Sequence, residues 1–534
     1  MIQMAYHYKI AKHEHEFTQI HRLNYQTFVQ EIPQHNKNED EILIDPFHNE
    51  NTYLICLKND ELVGMIAVRD QRPFSLDYKI GSVEKWLPFE AHRLCEIRLL
   101  AVKKEHRNGR VFSGLAKMLA RYCLKKGYDT AVISGTTSQL KLYQQMGFQP
   151  FAYAVGTEDA LYQPMFLTKE TFKKSLLGRR INEAINFLPG PVQVCSEVGK
   201  ALSVPAISHR NYEFIENMKL AQKQLCRLTG ANNVQIMLGT GTLANDMIAA
   251  QLRGVNGKGL IIVNGEFGER LVDHARRAGL DFTVLNKKWG EEVAKDELVE
   301  AVSSDCIAWL WFVHCETSTG MLNDLEMIKE TCSNFQIKLC VDCISSLGTI
   351  SVDLHGIYLA SGVSGKGIGA FTGLSFVFHN HEVSLSTNIP RYLDLGMYYE
   401  KKSVPFSHSS NLLFSLLAAL KNMTGEWYET IQKRYDYIRG RIEKLGLSVP
   451  VAREHSAPCI MTVEMPEGFS SVTIGDELFL QGYQLHYESA YLRERNWLQI
   501  ACVGDISQKE IDGMLACLEQ AIRNEGTLKA SSKG

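Results

Sequence analysis

The stretch I-Y-L-A-S-G-V-S-G-K-G-I-G-A-F-T-G-L-S-F-V-F-H-N, Ile357 to Asn380, sets one lysine, Lys366, among glycines and serines, with the apolar run Leu374 to Phe378 behind it. Glycine and serine on both sides predict a turn in which the backbone approaches another group closely. A lysine held there beside buried strands is a desolvated amine that can shed its proton, the form that attacks a carbonyl. A solvated surface lysine fits the same segment, so the decision falls to the residues upstream.

Upstream, near-continuous apolar runs alternate with helical periodicity. Runs at 259–263, 281–285, 307–313 and 337–342 read as strands, and residues 266–278 and 323–335 as helices. That alternation predicts an α/β unit with a parallel sheet covered on both faces. Such sheets bind ligands beyond the carboxyl ends of their strands, so the turns there carry the information. M-L-G-T-G-T-L-A-N-D (237–246) opens a helix with glycine and threonine, a phosphate cradle of amides and hydroxyls. N-G-E-F-G-E-R (264–270) places Phe267 where a ring can stack on a flat cofactor. H-C-E-T-S-T-G (314–320) follows a tryptophan-rich strand, and V-D-C-I-S-S-L-G (341–348) ends an apolar strand on Asp342. A buried aspartate needs a cationic partner, which a pyridinium nitrogen supplies. Each turn alone has a bland reading: a glycine cap, a core phenylalanine, a surface loop. Cradle, ring, acid and lysine in this order form the parts of a pyridoxal phosphate site.

These words also resemble the class V (fold type I) aminotransferases of the alanine–glyoxylate and 2-aminoethylphosphonate–pyruvate group. F-L-P-G-P-V-Q-V (187–194) and S-H-R-N-Y-E-F (208–214) are similar to that group's opening. The resemblance implies a large domain around a mostly parallel seven-stranded sheet and a smaller C-terminal α/β domain. It implies Lys366 as the Schiff-base lysine and proton carrier, Asp342 on the pyridine nitrogen and Phe267 on the ring face. Thr240, Gly241 and Thr242 would hold the phosphate, with Thr317 near the ring hydroxyl and Ser364 also binding the cofactor. His209 and Arg210 would meet substrate, and Ser407, in V-P-F-S-H-S-S, would reach a neighbouring subunit's cofactor, implying a homodimer. One departure stands out. The group carries F-R-I-G near its C-terminus, whose arginine clamps a carboxylate, whereas this chain reads L-Q-I-A-C-V-G (498–504) with Gln499 in that place. A neutral amide cannot replace a charged fork. Either Arg493 or Arg495 supplies the charge, or the substrate lacks an ordinary α-carboxylate there.

The first 175 residues read differently. A helix at 16–29 is followed by a hairpin of 52–58 and 62–69, the strand C-E-I-R-L-L-A-V (95–102), a basic turn and an amphipathic helix at 111–126. A strand at 129–134 and a helix from Ser138 close the series. E-I-R-L-L-A-V and K-L-Y-Q-Q-M-G-F (141–148) resemble the GNAT N-acyltransferase fold, and D-P-F (45–47) its autoinducer-synthase and N-acyl amino acid synthase branch. The resemblance implies Glu96 as a general base and Tyr143 as a general acid. It also implies a donor held by Val102 and the helix N-terminus. The donor turn R-N-G-R-V-F (107–112) puts Arg110 and Phe112 where the family carries small residues. An acyl-carrier protein's single phosphate, paired with Arg107 and Arg110, fits that turn better than acyl-CoA.

Composition frames both readings. A chain of 534 residues exceeds one core, and its 45% hydrophobic and 22% charged residues are ordinary for a globular protein. A net charge of −3 argues against nucleic acid as partner, and no apolar run reaches membrane-spanning length. Thirteen scattered cysteines and a polar N-terminus lead us to expect reduced thiols and a cytoplasmic protein; the Cys340–Cys343 pair, inside an apolar strand, is not expected to bind metal. The boundary falls in the basic stretch 168–182, giving units 1–175 and 176–534, the second divided near residue 430. The expectation is a bifunctional enzyme: aminotransfer makes an amine from an oxo compound, and acyl transfer caps it. The alternatives are an aminotransferase with a non-catalytic N-terminal module, or a pyridoxal phosphate lyase or decarboxylase.

Overall fold

The computed structural model describes residues 6–532, apart from 33, 108, 158, 159, 176, 177, 179–183, 305 and 424. Part of the proposed boundary stretch (176, 177, 179–182) and Asn108 of the donor turn therefore lie outside the described residues. The chain separates into two compact units. One comprises residues 1–184 with 479–482, the other residues 185–478 with 483–534.

The first unit is built on an eight-stranded, mainly antiparallel sheet. The predicted hairpin is present as Thr52–Lys58 and Glu61–Arg69, followed by Leu94–Val102 and Thr130–Thr136. These last two strands pair in parallel only from Leu94–Glu96 against Thr130–Val132. Beyond Glu96 the first strand bulges: Leu99 takes a left-handed φ of 53°, and the register against the hairpin shifts. A bulge bends the strand and ends its pairing, so the two strands part just past Glu96. Helix Arg110–Lys126 buries Val111, Leu115, Met118 and Leu119 on the sheet and ends in left-handed Gly127. The antiparallel strand Ala160–Thr168, not foreseen from the sequence, closes the sheet beside Thr130–Thr136.

The second unit holds a seven-stranded sheet in which all neighbours are parallel except Gly373–His379, which runs antiparallel to both of its partners. The strands Lys258–Val263, Ile307–Val313 and Lys338–Asp342 are buried almost throughout, because helices cover both faces. Leu260, Leu310, Phe312 and Phe376 fill one face, and Ile261, Trp309, Trp311 and Val377 the other. A separate apolar cluster near the C-terminus joins Tyr435, Ile438 and Ile442 of helix Glu426–Lys444 to the paired strands Ile460–Glu464 and Trp497–Ala501. Among the described residues no helix is long and apolar enough to cross a membrane.

Candidate active site

Lys366 lies in the turn between strands Leu359–Val363 and Gly373–His379, at the wall of a cavity of about 240 Å³. Its Nζ donates to Ser345 Oγ at 2.9 Å, and Ser345 Oγ lies 2.5 Å from Thr317 Oγ1. Gly190 flanks the lysine: a Cβ there would come within 3.0 Å of Lys366 Cγ, so a larger residue would displace the side chain. Desolvation lowers the lysine's pKa, opposed by the negative charge of Asp342. Burial thus favours the neutral, nucleophilic amine.

Asp342 ends its strand buried, at 4% exposure. Oδ2 accepts from Asn245 Nδ2 and Oδ1 from the Ile344 amide, both at 2.8 Å. Desolvation raises its pKa, and these two donors and Lys366 hold it partly down. Asn245 Oδ1, equally buried, has no partner among the described residues. Helix Gly241–Leu252 begins on the same cavity with Thr240 as N-cap, and no side chain caps it. Its first amides are left for an anion. Gly241 is required by packing, since a Cβ would meet Ile344 Cδ1 at 2.5 Å.

Phe267 opens helix Glu266–Arg277 with its ring on the cavity, 5.4 Å from Lys366 Nζ and 4.7 Å from the Arg270 guanidinium. Glu316, fully buried, holds that turn in place. Its carboxylate accepts from the Phe267 amide at 3.3 Å, the Gly268 amide at 2.9 Å, and both Ser318 N and Oγ. An amine, an acid opposite, a flat ring and an open helix N-terminus around one cavity fit pyridoxal phosphate, and the unsatisfied Asn245 oxygen is a further place for a donor.

This geometry places several of the expected residues off the cavity wall. Ser364 does not face the cavity: its hydroxyl donates to Phe371 O at 2.6 Å and accepts from the Leu374 amide, tying the lysine loop to itself. Gln499 is wholly buried, behind Thr317 and not on the cavity wall itself. Its Nε2 donates to Thr317 O (2.6 Å), Ser318 O and Thr462 Oγ1, and its Oε1 lies 2.8 Å from His486 Nδ1. Arg495 stacks on Trp289 with its guanidinium 3.5 Å from the ring centroid, and Arg493 is exposed; neither lines the cavity. His209, Arg210 and Ser407 share a different groove, of about 650 Å³, within this unit. Sequence reasoning missed Asn245, Ser345, Glu316 and Arg270. Asn245 was legible: it stands four residues after Gly241, on the same face of the helix as the cradle.

In the first unit Glu96 is buried where the strands part. Its carboxylate accepts from Ser75 N (2.9 Å), Ser75 Oγ (2.5 Å) and Leu76 N (3.1 Å), and Arg98 stands 3.7 Å away. The proposed base is thus spoken for by a turn that it holds. Arg98 pairs in a bidentate fashion with Asp45, at 3.0 and 3.1 Å. Tyr143 packs its ring over Gly135, where a Cβ would come within 2.8 Å. Arg107 is less available for a donor than expected: it bonds the Val102 carbonyl at 2.8 Å and pairs with Glu31 at 2.7 Å. Arg110 is exposed at the start of its helix.

Comparison with known proteins matches a stretch in each unit. Residues 193–407 match the family model of class-V aminotransferases, and residues 19–168 that of the N-acyl amino acid synthase FeeM. An uncharacterised aminotransferase of Methanocaldococcus jannaschii is 27% identical over 362 residues, 64% of this chain and 92% of its own. The 2-aminoethylphosphonate–pyruvate transaminase of Pseudomonas aeruginosa is 23% identical, over 63% of this chain and 95% of its own. Among solved structures, the alanine–glyoxylate aminotransferase of Nostoc sp. superposes with a TM-score of 0.58 at 29% identity, covering 64% of this chain and 96% of its own. The chain is thus an enzyme with a transaminase part and an acyltransferase part, similar to class V aminotransferases over residues 193–407 and to N-acyl amino acid synthases over residues 19–168.

Proposed function

We propose that the second unit exchanges an amino group between a small amine and an oxo compound, and that the first unit acylates the amine so made. The observation that carries the first half is Lys366: one amine, its pKa lowered by burial, on the wall of a cavity that Asp342 and Phe267 also line. Pyridoxal phosphate supplies an electron sink that makes the exchange of amino for oxo groups possible. The chain's residues do the rest. Thr240, Gly241 and Thr242 would hold the phosphate at the helix N-terminus, Asp342 would pair with the ring nitrogen, and Phe267 would pack on the ring. Lys366 Nζ, hydrogen-bonded to Ser345 Oγ and through it to Thr317 Oγ1, would be the group that accepts and returns a proton at the cavity wall.

Acylation follows at the cleft beyond Glu96. Glu96 holds the turn from Ser75, a neutral amine attacks the thioester and loses its proton to solvent, and Tyr143 protonates the leaving thiolate. The donor is an acyl thioester, on carrier protein or CoA. Joining two activities on one chain keeps an intermediate at high local concentration. We assign Ser407, His209 and Arg210, which share one groove, to the face that meets a second copy in a homodimer.

The test is spectroscopic. Cofactor-loaded protein should absorb at about 410–430 nm and lose the band in Lys366→Ala. Amino donors should then bleach the wild-type band, and acyl thioester should be consumed only when amine is present. A wild-type protein that never acquires the band sinks the amino-transfer half; thioester that stays intact with every amine and both donor types sinks the acylation half.

A further inference from the structure

We propose that Arg270 receives the anionic group of the substrate, a carboxylate or a phosphonate, at the position left without a charge by Gln499; the inference rests on the amino-transfer reading above. Arg270 lies on the cavity wall, one helical turn after Phe267. Its guanidinium sits 4.7 Å from the Phe267 centroid and Lys366 Nζ sits 5.4 Å from the same point, so the two cations are at most about 10 Å apart. A small molecule reacting at Lys366 can reach the guanidinium with its far end.

Charge makes the choice. The cavity wall carries Asp342, and buried Glu316 lies behind Phe267, so an incoming anion needs a compensating cation. Lys366 is committed to the cofactor, and His274 is bound at 2.6 Å to Asp246. Gln499 has both donor hydrogens on protein oxygens. Arg495 is stacked on Trp289, outside the cavity. Arg270 remains, paired with Glu266 through Nε (3.0 Å) and Nη2 (2.9 Å). That pair is solvent-exposed, with 55% of the arginine side chain accessible, and exposed pairs are weak. A bound anion can therefore displace or share it. Arg270 also lines an adjoining groove of about 320 Å³ with Trp289, Tyr491, Arg495 and the carboxylates of Glu269 and Glu494, which leaves room for a substituent beyond the anion; of its two arginines only Arg270 also lines the lysine's cavity.

The experiment uses cofactor-loaded protein and two kinds of readout. Calorimetric titration gives the affinity for two non-reacting anions, propionate and ethylphosphonate. Band bleaching gives the half-saturating concentration of donors with and without an anionic group. Arg270→Gln should weaken anion binding and raise the anionic donor's half-saturation about tenfold or more, leaving the neutral donor unchanged. Arg270→Lys should recover part of the loss, while Arg493→Gln and Arg495→Gln should resemble wild type. The anion that loses more affinity identifies the group. Unchanged anion binding in Arg270→Gln overturns the proposal, as does an equal loss in Arg495→Gln. A defect that vanishes on saturation with cofactor would mean that Arg270 merely steadies Phe267, and also overturns it. Failure of the amino-transfer reading is distinct: the wild type then shows no cofactor band at all, and the proposal falls with it.

Discussion

Gln499 has committed its amide before any substrate arrives. Its two hydrogens reach the carbonyls of Thr317 and Ser318 and the Thr462 hydroxyl, and its oxygen faces His486. The residue joins strand Trp497–Ala501 to the loop that carries Thr317. Gln499→Ala should therefore lower unfolding stability by about 1–3 kcal/mol, through carbonyls left without donors, while the half-saturating donor concentration stays the same. Denaturant unfolding and band bleaching on the same variant check both halves; a donor defect without a stability loss would return Gln499 to the substrate site. The sequence could show that an arginine was missing at 499, because residue type is written there. It could not show that Arg270, more than two hundred positions earlier, shares a cavity with Lys366, since only the path of the chain decides that.

Two turns meet at the lysine. Gly348 follows Asp342 by six residues and has a left-handed φ of 80°. A Cβ there would lie 2.7 Å from the backbone carbon of Gly367, immediately after Lys366. Gly348→Ala should cost about 1–2 kcal/mol for the left-handed backbone and about 1–3 kcal/mol for overpacking. Because the clash is with backbone, it should also displace the lysine. A lowered melting temperature together with weaker cofactor binding is the expected result; melting and absorption like wild type would show that the loop yields freely. The apolar strands were legible as elements because both faces are buried, so nothing interrupts the run of Leu, Ile, Val and Trp. The direction of Gly373–His379 was not legible: an antiparallel strand between two covered faces has the same composition as a parallel one. The bulge at Leu99 escaped for a related reason, since no glycine marks that left-handed residue.

The stability of the whole second unit is tied to pH through His314. The residue is buried beside Ser346, and burial lowers its pKa from 6.5 to about 4. Above pH 6.5 neither folded nor unfolded chain holds the proton, and the contribution is fully present. Between pH 6.5 and 4 the unfolded chain takes up the proton first, so stability falls with pH, by about 3 kcal/mol over that window. Unfolding followed from pH 7 to pH 4 should show a steeper loss in wild type than in His314→Gln; parallel curves would contradict it. At this scale most of the order of elements, the class of each unit, and Lys366, Asp342 and Phe267 as the parts of one cofactor reading came from the sequence alone. Those follow from side-chain chemistry and periodicity, which are local properties. Only the tertiary structure decided which polar groups are already satisfied and which still face the cavity. Glu96, Ser364 and Gln499 look available in the sequence and are occupied in the fold, whereas Arg270 looks like a helix-surface arginine and stands at the site. Satisfaction of a hydrogen-bonding group depends on neighbours brought from far along the chain, and that is settled by packing.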